Sequence, residues 1–122
     1  MRPIPRGKSN PALRSLIEGL RKTSGEKDAP IWRDIARRLE GPARNWAEVN
    51  LSSIERALNE GETAVVAGKL LSSGSLTKRV NVAAFRFSTE ARKKVVAAGG
   101  SCIGIDELAK KNPSGVAVRI LG

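Results

Sequence analysis

Histidine, tyrosine and glutamine are absent from this chain of 122 residues, and cysteine occurs once. The missing histidine removes every zinc site and catalytic triad that needs an imidazole. Cys102, being alone, has no partner for an internal disulfide and suits a reducing compartment. With no histidine to activate it, and set in an apolar stretch, it reads as a small hydrophobe. Aromatic residues make up 3% of the chain. A sheet face bearing two or three exposed stacking rings is therefore hard to assemble, although Phe85 and Phe87 fall in one segment. No apolar run approaches the roughly 20 residues that a membrane span needs. The first residues also lack the apolar core of a secretory signal, so a cytoplasmic location is expected.

What the chain does have is positive charge. Lysine and arginine number 22 against 12 acids, a net charge of +10. Such a field draws a protein toward RNA, DNA or acidic surfaces. Many acids sit four residues before a base, where the two meet on a helix surface: Glu18–Lys22, Asp34–Arg38, Glu90–Lys94, Asp106–Lys110 and Glu107–Lys111. Arg14, Arg21, Arg33, Arg37 and Lys93 lack such a partner. Arg33 and Arg37 are also one turn apart, which on a bare helix costs about 0.2–0.5 kcal/mol. A polyanion would reverse that cost, and a nucleic-acid backbone is the natural candidate.

The length and the ordinary apolar content predict one domain with a real core. Residues 1–9, MRPIPRGKS, carry prolines, a glycine and three bases. They read as a basic flexible arm ahead of a single domain over 10–122. Asn10 and Pro11 start a helix whose buried stripe is Leu13, Leu16, Ile17 and Leu20, fading by Ser24-Gly25. A second helix spans Pro30 to Leu39, with Ile31, Trp32, Ile35, Ala36 and Leu39 inward and Arg33 and Arg37 on the opposite side. GPARNWAEVN, 41–50, reads as a connection. Trp46 within it is either a core plug or a stacking surface, and the plug is favoured because aromatic side chains are mostly buried.

Beyond it the pattern gives a short helix near Ser53–Leu58 and a strand at Thr63–Ala67. A Gly/Ser-rich stretch then ends in Lys78-Arg79, before a strand at Val80–Phe87 whose unbroken apolar character suits cover on both faces. Ser88 caps a helix that Gly99-Gly100 ends. A short strand at Ser101–Ile103, a helix at Asp106–Asn112 and an alternating strand at Val116–Ile120 follow. Strand, helix, strand, helix, strand is an α/β order.

Catalytic readings find little support. Carboxylates that could hold magnesium are engaged in helix pairs. Ser72 or Ser73 with Lys69 could imitate a Ser–Lys dyad, but serines in such a stretch are usually just loop. The glycines of 99–104 follow a helix and lead into a strand, the reverse of a dinucleotide site. Gly7-Lys8-Ser9 lacks the rest of a phosphate-binding loop. No enzyme activity, cofactor, metal or small-molecule substrate is expected.

The stretch Trp32–Arg56, WRDIARRLEGPARNWAEVNLSSIER, resembles the archaeal and eukaryotic large-subunit ribosomal protein family L-eighteen-e, itself related to the bacterial-type L-fifteen. The opening NPALRSLIEGL, the middle VVAGKLLSSGSLTKRVNVAAFRFS and the closing NPSGVAVRIL are similar to it too. Trp46 departs from the smaller or polar residue expected there, and Ala67 stands where proline is common. The resemblance implies a fold of irregular β-α units, which with the elements read above makes an α/β domain with N-terminal helices and a basic N-terminal arm. It also implies a structural, non-enzymatic role in the cytoplasmic large subunit, against ribosomal RNA and neighbouring ribosomal proteins.

With so few aromatics, contact would run through phosphates and shape. The expected RNA-binding residues are Arg2, Arg6 and Lys8 of the arm, Arg33, Arg37, Arg38, Arg44 and Asn45, then Asn50, Lys78, Arg79, Lys93 and Lys94. Asn50 could instead satisfy backbone groups ahead of the short helix. Two other classes compete: a free-standing architectural nucleic-acid-binding protein, which should dimerise or expose wedge residues, and a small enzyme acting on phosphorylated substrates, which needs a polar pocket.

Overall fold

A computed structural model describes residues 11–115 and 117–121. The arm expected over residues 1–9, with Arg2, Arg6 and Lys8, the Asn10 cap and Val116 all lie outside the described residues.

Two helices open the fold, α1 (Pro11–Lys27) and α2 (Pro30–Glu40). Leu13, Ile17 and Leu20 of α1 are buried as the spacing predicts, with Leu16 partly so. The helix continues past Ser24-Gly25. Ser24 is itself buried and its carbonyl accepts from the Ala29 amide at 3.1 Å, and Asp28, at φ +50°, turns the chain out instead. In α2, Trp32, Ile35, Ala36 and Leu39 are all 0% exposed while Arg33 and Arg37 are exposed, so the two-sided reading of this helix holds. The Trp32 indole finds its partner in the Pro113 carbonyl at 2.7 Å.

Next come a 3₁₀ turn (Ala43–Asn45), β1 (Ala47–Asn50), α3 (Leu51–Ala57), β2 (Thr63–Leu71) and β3 (Asn81–Phe87). The chain closes with α4 (Thr89–Ala97), β4 (Ser101–Gly104), α5 (Ile105–Lys111) and β5 (Val118–Leu121). Two elements differ from expectation. The connection 41–50 contains strand β1, which is four residues long and takes its ladder from the distant Gly68–Leu71, so no local period marks it. β2 also runs on through Gly68 to Leu71. Gly68 reads as a strand breaker, yet it is there because the backbones crowd: a Cβ on it would lie 2.1 Å from the Ala47 carbonyl oxygen.

All pairings in the sheet are parallel. β3 lies along one edge of β2, and β4 lies outside β3. The other edge of β2 is shared end to end: β5 pairs with Thr63–Val66 and β1 with Gly68–Leu71. A parallel sheet needs cover on both faces, and the core divides accordingly. On one face Val65, Ala67 and Ala83 pack with α1, α2 and α5; on the other Ala64, Val66, Leu70, Val82 and Ala84 pack with α3 and α4. Val118 and Ile120 join the first cluster and Leu121 the second, matching the alternation read for the last strand.

A register shift between Val66 and Lys69 brings Lys69 opposite Arg86. Paired residues share a face, so Lys69 and Arg86 emerge on the side where Phe85 packs, while Leu70 and Phe87 serve the other.

Candidate nucleic-acid interface

Two groups of cations bear on function, and what each side chain already touches separates them. The first group surrounds the β2–β3 connection. The Lys78 ammonium is half-buried and donates to the carbonyls of Glu55 at 2.8 Å and Leu58 at 2.9 Å, satisfying the C-terminal end of α3. Thr77 donates its amide at 3.0 Å and its hydroxyl at 2.7 Å to the two oxygens of Glu55. These bonds, the backbone one foremost, hold the Glu55 carboxyl below the usual carboxylate range. From the other side Lys94 of α4 donates to the carbonyls of Ser72 at 3.0 Å and Gly74 at 3.1 Å. The Ser52 amide reaches the Ser73 carbonyl at 3.1 Å. A stretch that looks flexible by composition is thus tied to two helices. Arg79, next to Lys78, is exposed.

These contacts rearrange the expected helix pairs. Asp34–Arg38 forms at 3.2 Å and Glu107–Lys111 at 3.7 Å. Glu90 pairs with Lys93 at 3.6 Å rather than with Lys94, which the loop carbonyls have taken. Lys93 is therefore paired, contrary to expectation. So is Arg21, which meets Glu40 across the α1–α2 interface. Glu18–Lys22 and Asp106–Lys110 are not among the ion pairs of the described residues, and Arg14 has a partner. Ser88 caps α4 as expected, accepting from the Ala91 amide at 3.1 Å. Asn50 precedes α3, and its side chain makes no capping bond to that helix.

The second group lies on the α1–α2 side of the sheet. Arg33 and Arg37 are exposed and, among the described residues, meet no acid. They border a shallow cleft of about 360 Å³ with Pro30, Ile31, Ile120 and Asp34, the acid that pairs with Arg38. At the end of α2 the chain turns through Arg44 and Asn45, both exposed, into Trp46. The Trp46 indole donates to the Leu39 carbonyl at 3.2 Å and meets the Phe85 ring at 5.1 Å with the planes 76° apart. Trp46 thus plugs the first core cluster, as favoured from composition, and its remaining surface walls two adjoining recesses. One, of about 190 Å³, has Arg38, Asn45 and Ala67; the other, of about 280 Å³, has Arg44, Glu48, Lys69 and Arg86.

Sequence reasoning missed Lys69 and Arg86 as surface cations. Each interrupts an otherwise apolar strand, and in a sheet covered on both faces a charge must mark where the cover stops. A larger cleft of about 560 Å³ opens between α1 and α5, but among the described residues Asp106 and Lys110 are its only charged lining. Cys102 is half-buried and burial raises its thiol pKa, against the pull of Arg92, so it is poorly ionised. Among the described residues no group of His, Cys, Asp and Glu side chains could hold a metal, and no helix is long and apolar enough to cross a membrane.

Fold and surface together define a class: a small, strongly cationic α/β protein with a two-sided core and a cluster of exposed bases around α2 and Trp46, the kind of build found among ribosomal proteins. Residues 4–122 match the family described as "Ribosomal protein 60S L18 and 50S L18e". The chain is 53% identical over 114 residues to the large ribosomal subunit protein eL18 of Methanoregula boonei, covering 93% of this chain and 94% of that one. It is 49% identical to the protein of the same name from Archaeoglobus fulgidus, over 93% and 97% of the two chains. With its counterpart from Methanopyrus kandleri it shares 45% identity over 96% of each. The chain belongs to this family of structural, non-enzymatic large-subunit ribosomal proteins.

Proposed function

We propose that this chain binds folded ribosomal RNA within the large subunit, through phosphate contacts and shape, and adjoins neighbouring ribosomal proteins there. The observation that carries this reading is the state of α2. Trp32, Ile35, Ala36 and Leu39 of its inner face are fully buried, so the helix is rigidly placed. Its outer face holds Arg33 and Arg37 one turn apart, exposed and without an acid among the described residues. Arg44 and Asn45 extend that surface, and Arg38 adds to it beside Asp34. The arm residues Arg2, Arg6 and Lys8, with Asn50, Arg79 and Lys93, are further contacts in this proposal. Lys78 and Lys94 add their charge to the field, and each keeps one of its three ammonium protons for a phosphate, the other two being engaged with backbone carbonyls.

The test replaces Arg33 and Arg37 with alanine. Thermal stability of the free protein is expected to stay within about 0.5 kcal/mol or rise slightly, as like charges are removed. Binding to ribosomal RNA at low salt should weaken. The log–log salt slope should flatten by roughly 0.7–0.9 for each phosphate that is no longer neutralised. Unchanged binding and slope would remove α2 from the interface.

A further inference from the structure

The recess on the Trp46 side has a composition that simple phosphate binding does not need. Its back is an aromatic wall held in one orientation by two independent contacts, the hydrogen bond to Leu39 and the edge-on meeting with Phe85. Its rim carries Arg44, Lys69 and Arg86, all exposed. Lys69 and Arg86 are register partners on adjacent strands, and the Arg86 guanidinium carbon lies 5.5 Å from the Phe85 ring centre. A continuous line thus runs from cation to Phe85 to Trp46, fixing a positive group beside an indole. Glu48, the register partner of Lys69 on its other side, sets one acid at the same mouth. Gly68 forms part of the lining, and no side chain could stand there because the Ala47 backbone is too close.

An aromatic surface flanked by bases is how proteins hold an unpaired nucleotide, the base against the ring and the phosphates against the cations. At about 280 Å³ the recess is just below the usual size of small-ligand sites. That suits one planar ring and its phosphate, and does not suit a duplex. We propose that this recess receives a single unstacked nucleotide, from a bulge or loop of RNA, against Trp46. The site deepens the RNA-binding reading and rests on it, and it adds base contact to an interface otherwise made of phosphates and shape.

Intrinsic fluorescence provides the test. The chain has two tryptophans, and Trp32 is 0% exposed with its indole nitrogen bonded to Pro113, so a stacked base quenches Trp46 alone. The full chain is titrated with a short single-stranded oligoadenylate, with the same oligomer carrying abasic sites, with inorganic phosphate and with an acidic peptide of equal charge. The oligoadenylate is expected to quench the emission and to bind about tenfold more tightly than its abasic counterpart, within the range one stacked base supplies. Lys69→Ala with Arg86→Ala should weaken it by a similar factor, both residues being exposed and away from the core. Trp46→Phe should abolish the quenching. Should that variant fail to fold, the comparison of the oligoadenylate with its abasic counterpart on the unaltered chain still decides the matter.

Equal binding of the abasic oligomer without quenching would overturn the proposal in favour of a phosphate site. Equal binding of the acidic peptide would overturn it in favour of a protein partner. If the chain binds folded ribosomal RNA that contains unpaired bases and Trp46 emission does not change, this proposal alone fails. If it binds no ribosomal RNA, the broader reading fails as well.

Discussion

Two basic regions of this molecule use the same side chains for opposite ends. Around the β2–β3 connection, Lys78 and Lys94 turn inward and hold the loop to α3 and α4. Around α2 and Trp46, Arg33, Arg37, Arg44, Lys69 and Arg86 face outward, and what organises them is packing beneath them. A net charge of +10 says nothing of this division. The positive field is a property of the whole chain, but the capacity to meet a phosphate is greatest in those cations whose protons are not already given to carbonyls.

The sharpest break in the comparison would come from the outward region's foundation. Gly68→Ala places a methyl group against the Ala47 backbone, which cannot move aside without unpairing β1 from β2. A destabilisation of about 3 kcal/mol, or failure to fold, is expected in denaturant unfolding. A value below about 1 kcal/mol would mean that β1 shifts readily and that the Trp46 recess is not rigidly built.

Next in size is the inward region's own clamp. Lys78→Met keeps the apolar stem but removes the ammonium from two carbonyls, at a cost of about 1.5–3 kcal/mol for hydrogen bonds to a charged group. Lys94→Ala should cost less, about 0.5–1 kcal/mol, because its side chain is exposed and water replaces it. Equal costs would show that burial does not decide the strength of the clamp.

A smaller effect follows from Glu55. Its folded pKa lies below the ordinary value, so its ionised form adds stability above the ordinary carboxyl range, and that addition is lost as pH falls through the folded pKa. Glu55→Gln cannot titrate. The Tm gap between the parent and this variant should therefore be largest near neutral pH and close as the solution is acidified through the folded pKa. A gap constant with pH would show that the Thr77 bonds do not depend on the charge. Smallest of all is the stability change expected for Arg33 and Arg37, where only binding should respond.

The outward region is the easier to read from sequence, in part. The faces of α2 follow from spacing alone, because a helix's inward and outward positions are local. The buried stripe of α1, the Ser88 cap and the α/β order are legible for the same reason. β1 is not legible, since four residues paired in parallel to a segment far along the chain leave no period of their own. The inward turn of Lys78 and Lys94 is equally hidden: nothing in Lys78-Arg79 or Lys93-Lys94 says which neighbour points at a carbonyl until α3 and α4 are in place. Lys69 and Arg86 escape notice because Gly68 looks like the end of a strand that in fact continues. Arg21 and Lys93 look unpaired when only partners four residues away are considered. Arg21 finds its acid on the next helix, and Lys93 finds one at i−3 because the loop claims Lys94.

The shared edge of β2 has a consequence for how the chain is made. During synthesis the central strand is exposed long before Val118–Leu121 emerges to cover half of that side. Until then it offers unsatisfied amides and carbonyls to any extended segment nearby, and the contact that seals it spans much of the polypeptide, which slows folding. A nascent copy is therefore most vulnerable to aggregation late in translation, and deleting the final pairing segment should leave an adhesive intermediate in place of a slightly smaller native protein.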